Sequence, residues 1–399
     1  MDSVLLRCRI FGAFTDGRVK NMHAFVVGPK IYVGDDTMSE VMKDRKCVFI
    51  VTDKFMHESG KVKCITDTLD AVGAKYCIFS DIKPDPDIEV VVSGMKLLLE
   101  HEADSVVALG GGSAIDTAKA IRYFVNLNKP VTEHCFFCVM PTTSGTGSEV
   151  SSYAVITDSA KQIKYPLEDE RLLPDAAILD ASLVVSVPPK TTADTGVDAL
   201  THAVEAFVSI NHAHCSDAMA EKAVKLICRN LHEAYIHPDN IEARTALHVA
   251  SCLAGIAFNN AGLGLNHACA HAFGAKFHIP HGRACGIFMP YVMTFAAGCN
   301  KDLTGTAERY AELAAVLNLD KSTTRQGALS AIRAIRGLLK RIGIPDSIKD
   351  AGIDRREFDE KLDSMLDAAL ADATMETTPV KPTREDLRGL FKAAYNGVY

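Results

Sequence analysis

Four of the chain's 14 histidines lie within fifteen residues of one stretch: His267, His271, His278 and His281. A buried histidine costs desolvation free energy unless it is paired, so a cluster of this size indicates a metal site, a proton path or both. His267 and His271 are spaced i and i+4, which puts them on one face of a predicted helix. His281 lies between Pro280 and Gly282, where a helix cannot continue, and we expect it in a loop that folds back.

A second stretch, DTGVDALTHAVEAF, supplies a partner for these histidines. It predicts a helix with Asp194 as its N-cap, and Asp198 and His202 are spaced i and i+4 on one face of it. Such a pair is usually a surface feature, but the surrounding alanine, leucine and valine residues indicate burial. A carboxylate with three imidazoles suits Fe²⁺ or Zn²⁺ rather than Ca²⁺ or Mg²⁺. The spacing leaves open which two or three histidines bind, and His271 and His278 stay as further candidates.

A glycine run, Gly110 to Ser113, follows an apolar strand and opens a helix. Glycines let the backbone approach a ligand closely, and a helix N-terminus favours an anion such as a pyrophosphate. The run is not GxGxxG, and alone it could be only a tight turn. However, a second loop of small residues, PTTSGTGS at 141–148, follows the next strand. Two such loops at one edge of a parallel sheet predict a ligand that carries phosphate.

Asp53 ends the first strongly apolar strand, CVFIVTD. A carboxylate at this place can accept hydrogen bonds from ribose hydroxyls and would repel a 2′-phosphate. It can equally cap the helix that follows. The spacing alone does not decide between these two interpretations.

The elements that must position these residues fall into two kinds. Up to Pro188-Pro189, apolar strands alternate with helical stretches, which predicts parallel βαβ units with helices on both faces of the sheet. The predicted strands are Cys47–Asp53, Tyr76–Ile82, Ser105–Ser113 and Cys135–Thr143. From about Thr191 the pattern is helical throughout. We therefore predict an α/β domain at 1–188 and an all-helical domain at 189–399. An alternating run from Leu6 predicts an edge strand, through which a homodimer could form.

Composition excludes several classes of protein. The net charge of -7 and the scattered basic residues argue against nucleic-acid binding and against a polybasic membrane patch. No uncharged apolar run approaches the length of a membrane span and no export signal is apparent, so we expect a cytoplasmic protein. The 12 cysteines are irregularly spaced and are expected to be reduced thiols. Cys135 and Cys138 form a CxxC, but on a buried strand rather than in a redox motif.

Four motifs in order, GGGSAIDTAKA, PTTSGTGSEVS, TGVDALTHAVEAFVS and GLNHACAHAFGAKFHIPHG, resemble the iron-dependent (group III) alcohol dehydrogenase family. The match runs over nearly the whole chain. The resemblance implies a Rossmann-like α/β nucleotide domain with a parallel sheet, followed by an all-α metal-binding domain, in a dehydroquinate-synthase-like architecture.

The resemblance also implies residue roles. It assigns four metal ligands, namely Asp198, His202, His267 and His281. It assigns a proton-relaying second-sphere histidine and an aromatic residue of the substrate cavity, namely His271 and Phe258. His278 matches no family ligand, while Cys269 and Cys285 lie close to the ligands in sequence, which implies sensitivity to oxygen.

For the cofactor, NAD, the resemblance implies three groups of residues. The pyrophosphate loop and the acid beside it are Gly110, Gly111, Gly112, Ser113 and Asp116. The residues around adenine and ribose are Thr142 and Thr143, with Lys164 near the cofactor. Asp53 matches the acid that accompanies a preference for NAD over NADP.

Within the family, the pieces SDIKPDPDIEVVVSGM and KYPLEDERLLPDAAILD resemble the 1-propanol dehydrogenases of propanediol-utilising bacterial microcompartments. This implies interconversion of short-chain primary alcohols and aldehydes with Fe²⁺ (or Zn²⁺) and NAD(H). The expected direction is reduction of propanal or acetaldehyde, which recycles NAD⁺ inside the compartment. Shell proteins and aldehyde-producing enzymes are then the expected partners.

Three alternatives to this function remain open. A zinc-dependent glycerol or 1,2-diol dehydrogenase would share the architecture but prefer vicinal diols. A cyclising lyase of the dehydroquinate synthase type would need a pocket rich in lysine and arginine, whereas the metal motifs here are flanked by alanine, leucine, phenylalanine and glycine. A non-catalytic NAD-binding or shell-interaction protein would have no use for the ligand set.

Overall fold

The computed structural model describes residues 24–34, 37–83, 86–127, 135–159 and 163–398. Its strands are β1 Lys30–Val33, β2 Cys47–Asp53, β3 Lys75–Ile82, β4 Ser105–Gly110, β5 Phe136–Pro141, β6 Tyr153–Asp158, β7 Ile163–Glu168 and β8 Ala176–Leu179. Six of them form one parallel sheet in the order β1-β8-β5-β4-β2-β3, and β6 and β7 form an antiparallel hairpin.

The helices before Pro188 are α1 Met38–Met42, α2 Lys54–Glu58, α3 Lys63–Val72, α4 Ile88–Glu100 and α5 Gly112–Asn126. Those after it are α6 Pro189–Val208, α7 His214–Ile236, α8 Ile241–Ala261, α9 Leu265–Phe277, α10 His281–Ala297, α11 Thr306–Val316, α12 Thr324–Arg341, α13 Arg355–Leu370 and α14 Arg384–Asn396. Short 3-10 turns lie at Ser148–Val150, Glu170–Leu172, Ala181–Leu183 and Ala373–Thr377.

The central strands of the sheet are buried on both faces. In β2, Phe49 and Val51 belong to the apolar core on one side, and Val48 and Ile50 to the core on the other. Successive side chains of a strand point to opposite faces, so a continuous apolar run is what a sheet covered by helices on both sides requires. The prediction of parallel strands with helices on both faces is confirmed.

The four predicted strands are present, with small differences at their ends. The third, predicted to continue to Ser113, ends at Gly110 because α5 already begins at Gly112. Cys135 and Cys138 are buried thiols that form no disulfide, as expected of structural cysteines. The edge strand predicted from Leu6 lies outside the described residues. Among the residues that the structure describes, the edge strands of the sheet are β1, beside β8, and β3, beside β2.

All described strands precede Pro189, and the described chain after it is helical. Asp194 is not the N-cap of α6: the helix begins five residues earlier, at Pro189, because proline at the first helical position has a suitable φ and needs no hydrogen-bond acceptor. Asp194 instead pairs with Arg283 of α10 at 3.0 Å. The exact division into domains at 188 and 189 stays a prediction.

Helix α8 is long and apolar enough, by length and composition, to cross a membrane. Most of its window is buried in the protein, and its residues from Ala243 to Ala261 belong to the large apolar core that unites the helices after Pro189. Burial within the core accounts for its composition.

Candidate metal centre and cofactor edge

Three helices bring the four predicted metal ligands together. Asp198 and His202 lie one turn apart on α6, while His267 lies on α9 and His281 on α10. The Oδ1 atom of Asp198 is 3.6 Å from Nε2 of His202, 3.8 Å from Nε2 of His267 and 3.1 Å from Nε2 of His281. The edges of a tetrahedron around an ion with bonds of about 2.0–2.3 Å are roughly 3.3–3.8 Å long. The separations to His202 and His267 lie in this range, and the one to His281 is slightly shorter.

The prediction that His281 lies in a loop is wrong. Helix α9 ends at Phe277, and His278 takes a left-handed conformation with φ 53°. After a short turn, Pro280 precedes His281, which is the first residue of α10. A proline that cannot continue one helix is well suited to stand just before the next, so the chain folds back as expected but His281 sits in a helical turn.

Helices α6 and α10 approach each other so closely that their backbones touch. A Cβ atom on Gly282 would lie 1.8 Å from the carbonyl oxygen of Asp194 and 3.2 Å from Cβ of Asp198. No other residue fits at position 282. This contact brings His281 to Asp198.

The arrangement fits a divalent metal ion. Oδ1 of Asp198 and Nε2 of His267 are buried and make no hydrogen bond of acceptable geometry, which is costly unless another group satisfies them. Burial alone would raise the pKa of Asp198, but His202 and His281 hold it well below its usual value. Burial lowers the pKa of His202 to about 3. Burial would lower the pKa of His267 as well, but Glu205 and Asp198 raise it to about 9. Asp198 and His202 therefore have the ionised and neutral forms that metal ligands need, whereas His267 must lose a proton when a metal binds.

Cys285 adds a sulfur atom at the rim of this centre. Its Sγ, with the ligand atoms of Asp198, His267 and His281, forms a group within 4.8 Å, and it lies 3.7 Å from Nε2 of His281. Burial raises its pKa well above the usual value, so the thiol is neutral. Cys269 is also buried on α9.

Two carboxylates that the sequence analysis did not single out each contact the Nδ1 atom of a histidine in the cluster. Oε2 of Glu205 lies 2.5 Å from Nδ1 of His267, and Oδ2 of Asp372 lies 2.8 Å from Nδ1 of His271. Glu205 is seven residues after Asp198 on the same helix face, so helical spacing could have found it. Asp372 lies 101 residues from His271, and no local signal connects them.

His271 lies beside the predicted ligands rather than among them. Its ring is 5.1 Å from that of His281 and 5.8 Å from that of His267, and its side chain is 43% exposed. Burial would raise the pKa of Asp372, but the hydrogen bond and charge of His271 lower it to about 2. His271 is therefore a tethered imidazole with access to solvent. His278 is exposed and only ends α9.

Phe258 lies on α8 and packs its ring 4.6 Å from that of His202. Only 8% of it is exposed. It therefore forms an apolar wall directly beside one predicted ligand.

The two small-residue loops meet at the carboxyl edge of the sheet, as predicted. Gly110 ends β4 and its carbonyl accepts from the N–H of Thr142 at 3.0 Å. Oγ1 of Thr143 lies 3.4 Å from where a Cβ on Gly111 would be, so only a small residue leaves that surface open. Gly112 and Ser113 begin α5 without a side-chain cap, which leaves N–H groups free for an anion.

Asp53 is the N-cap of α2, as one of the two interpretations of the sequence predicts, while its ribose-binding role stays a prediction. Its Oδ1 caps α2 by accepting from the N–H of Met56 at 2.9 Å. Its Oδ2 points to the glycine run, 3.6 Å from where a Cβ on Gly110 would be. One oxygen thus caps a helix while the other faces the cofactor edge.

Asp116 lies on α5 one turn after the glycine run, and both of its carboxylate oxygens accept hydrogen bonds from within the protein. One carboxylate oxygen accepts from the hydroxyl of Ser148 at 2.7 Å, and the other from the N–H of Val155 at 3.0 Å. Its carboxylate therefore anchors the second loop to α5. Of Lys164 the structure describes the backbone, which pairs with Thr157 in the β6-β7 hairpin.

The second loop also contacts the helices that follow. Oγ of Ser144 lies 2.9 Å from Nδ1 of the buried His248 on α8. Gly147 has φ 63°, and a Cβ on it would lie 2.6 Å from Cα of Gly255, also on α8. Loop 141–148 thus joins the cofactor edge to the helix that carries Phe258.

The structure thus combines a parallel α/β sheet with two small-residue loops and a helical part with a candidate metal site, and comparison with known proteins identifies the family. Residues 28–181 match the family model of iron-containing alcohol dehydrogenases, and residues 192–395 match the model of the family's C-terminal part. The 1-propanol dehydrogenase PduQ of Citrobacter freundii is 41% identical over 90% of this chain and 96% of its own. The NADPH-dependent butanol dehydrogenase of Clostridium saccharobutylicum is 36% identical over 94% and 99%.

Among solved structures, that of a 1,3-propanediol oxidoreductase superposes with a TM-score of 0.86 at 31% identity, over 94% of this chain and all of the other. The chain belongs to the iron-containing alcohol dehydrogenase family and is an alcohol dehydrogenase with the dehydroquinate-synthase-like fold. The predicted family and the resemblance to 1-propanol dehydrogenases are confirmed.

Proposed function

We propose that this enzyme interconverts short-chain primary alcohols and aldehydes with Fe²⁺ and NAD(H), and that it works mainly as a reductase of propanal. The observation that carries the proposal is the cluster of Asp198, His202, His267 and His281, whose nearest apolar wall is Phe258. An apolar wall beside the metal ligands suits a small alkyl chain rather than a charged or polyhydroxylated substrate.

In this proposal Asp198 and the three histidines hold the metal, and the glycine run with loop 141–148 holds the pyrophosphate and ribose of the cofactor. When bound, the metal supplies Lewis acidity toward the substrate oxygen and the nicotinamide supplies the hydride. Phe258 positions the alkyl chain. His271, tethered by Asp372 and reaching solvent, moves the proton between the site and water.

We propose NAD rather than NADP as the cofactor because of Asp53. Its Oδ2 faces the glycine run, where a carboxylate favours ribose hydroxyls and repels a 2′-phosphate. Lys164 lies near the cofactor in this proposal. Asp116 contributes by holding Ser148 of the second loop.

The location and assembly follow from the relatives. Two PduQ proteins, about 40% identical over most of the chain, support a cytoplasmic enzyme inside a bacterial microcompartment that recycles NAD⁺ next to aldehyde-producing enzymes or the shell. A homodimer is proposed through pairing of edge strands at the N-terminal side of the sheet, where the strand predicted from Leu6 lies outside the described residues and, among the described ones, Ile31 and Val33 of β1 are exposed.

The test is anaerobic oxidation of NADH with propanal, using chelator-stripped protein reloaded separately with Fe²⁺ and Zn²⁺. Restoration by Fe²⁺ with propanal supports the proposal. Rescue by Zn²⁺ with a preference for 1,2-diols would assign the chain to the polyol dehydrogenases. No turnover with either metal would refute the proposed substrate and metal together.

A further inference from the structure

Glu205 is a buried carboxylate that the proposed chemistry does not use. It lies on α6, and its side chain is 7% exposed. In the described part of the chain, its only ion-pair partner is His267. A buried carboxylate is costly unless a positive charge or several hydrogen bonds balance it, so this residue needs an explanation.

Both oxygens of Glu205 contact α9 near its N-terminus. Oε2 lies 2.5 Å from Nδ1 of His267, and Oε1 accepts from the backbone N–H of Asn266, also at 2.5 Å. The neighbouring N–H, that of Leu265, donates to Oγ1 of Thr378 at 3.1 Å. Glu205 and Thr378 therefore cap the same helix end, but only Glu205 reaches a metal-facing histidine.

The contact fixes which nitrogen of His267 is available. An ionised carboxylate only accepts hydrogen bonds, so Nδ1 of His267 must carry the proton. Nε2 then lies on the side of Asp198, 3.8 Å from its Oδ1, and is the nitrogen left to bind a metal. His202 differs, because no carboxylate among the described residues lies within hydrogen-bond distance of its buried Nδ1.

We propose that Glu205 is a positioning residue of the metal centre: its contacts with Nδ1 of His267 and with the backbone of Asn266 hold the His267 ring so that Nε2 faces the other ligands. A carboxylate behind a metal-binding histidine fixes the orientation of the ring and the nitrogen that binds the metal. This inference rests on the metal dependence in the proposed function.

The experiment measures metal affinity rather than activity. Full-length metal-free protein is titrated with Co²⁺ or Zn²⁺ against a chromogenic chelator, and the d–d spectrum of the Co²⁺ form is recorded. The variants are Glu205→Gln, which removes the charge at constant shape, and Glu205→Asp, which keeps the charge but is one methylene shorter. Thr378→Val is the matched control, since it removes the other cap of α9 without touching His267.

Glu205→Gln is expected to weaken metal binding roughly 10–100-fold and to alter the Co²⁺ spectrum. Thr378→Val should lower the melting temperature while affinity stays within about threefold of wild type. If Glu205→Gln does not fold, Glu205→Asp carries the test, with weakened affinity and an altered spectrum expected.

Unchanged affinity and spectrum in a folded Glu205 variant would overturn the inference, as would an equal loss in Thr378→Val. In both cases a wild-type chain that binds the metal leaves the proposed function intact. A wild-type chain that binds neither ion would overturn the proposed function, and this inference with it.

Discussion

Glu149, in the 3-10 turn that ends the second cofactor loop, gives a stability prediction whose size the structure sets. Its side chain is 2% exposed, and burial raises its pKa from 4.5 to about 7, although Lys119 opposes the shift. The Lys119 ammonium donates its hydrogen bonds to other groups, namely the carbonyls of Ser151 and Tyr153, each at 2.7 Å. The Glu149 carboxyl therefore has no close cationic partner in the described part of the chain.

The sign of the effect follows from proton binding. Between pH 4.5 and about 7 the folded chain keeps the Glu149 proton that the unfolded chain releases. Stability therefore falls as pH rises through this range. Each pH unit costs up to about 1.4 kcal/mol, so the full loss is about 3 kcal/mol. Glu149→Gln cannot ionise and should escape this loss.

Urea unfolding of wild type and Glu149→Gln at several pH values between 4 and 8 measures the effect. The variant's stability relative to wild type should increase by up to about 3 kcal/mol across the range, with most of the increase between pH 5 and 7. Glu170→Gln, at an exposed position of the next 3-10 turn, controls for the loss of one negative charge. Parallel curves for wild type and Glu149→Gln would refute the reasoning, because they would mean that Glu149 is ionised in the fold at no cost.

Three further predictions concern the cofactor edge and the histidines. Asp53→Gly should raise the ratio of kcat/KM with NADPH to kcat/KM with NADH by roughly tenfold or more, because it removes a charge that repels the 2′-phosphate. Steady-state kinetics with both cofactors measures this ratio, and the same ratio in the variant and in wild type would contradict the prediction. Asp372→Ala should lower kcat by roughly tenfold or more at unchanged metal content, because His271 loses its tether; metal analysis beside kinetics separates this from loss of the ion. Gly147→Ala should lower the free energy of unfolding by about 2 kcal/mol or more, because φ at Gly147 is 63° and the added Cβ would clash with Cα of Gly255. Urea unfolding measures this change, and a free energy within about 0.5 kcal/mol of wild type would show that the loop adjusts to the added methyl group.

Features of the fold that depend on local pattern were predictable from the sequence. The central strands of the parallel sheet are continuous apolar runs because helices cover both faces of the sheet. Short runs of this kind therefore predicted the strands. Helix and strand ends were less predictable. Asp194 is a residue type that often caps helices, but α6 begins five residues earlier, at Pro189. The φ angle of proline favours the first position of a helix, and this preference decided where α6 begins.

In the candidate site, too, contacts between residues close in sequence were predictable, and contacts between distant segments were not. Asp198 with His202 could be paired from the sequence because helical spacing is local, and Glu205 on the same face follows the same rule. The joining of α6 to α9 and α10, and of His271 to Asp372, depends on tertiary packing across large sequence separations. Periodicity carries no information about such contacts, and only the resemblance to a family supplied the full ligand set in advance.

The backbone contact at Gly282 has a consequence for ion exchange. Because a carbonyl oxygen of α6 occupies the space where a side chain of α10 would lie, the backbones that carry Asp198 and His281 cannot come closer together. The minimum width of the site is therefore set by two helices, while its mainly nitrogen ligands do not suit Ca²⁺, which needs six to eight oxygens. An ion enters and leaves a frame that cannot contract, and we expect the spacing of α6 and α10 to be the same with and without the metal.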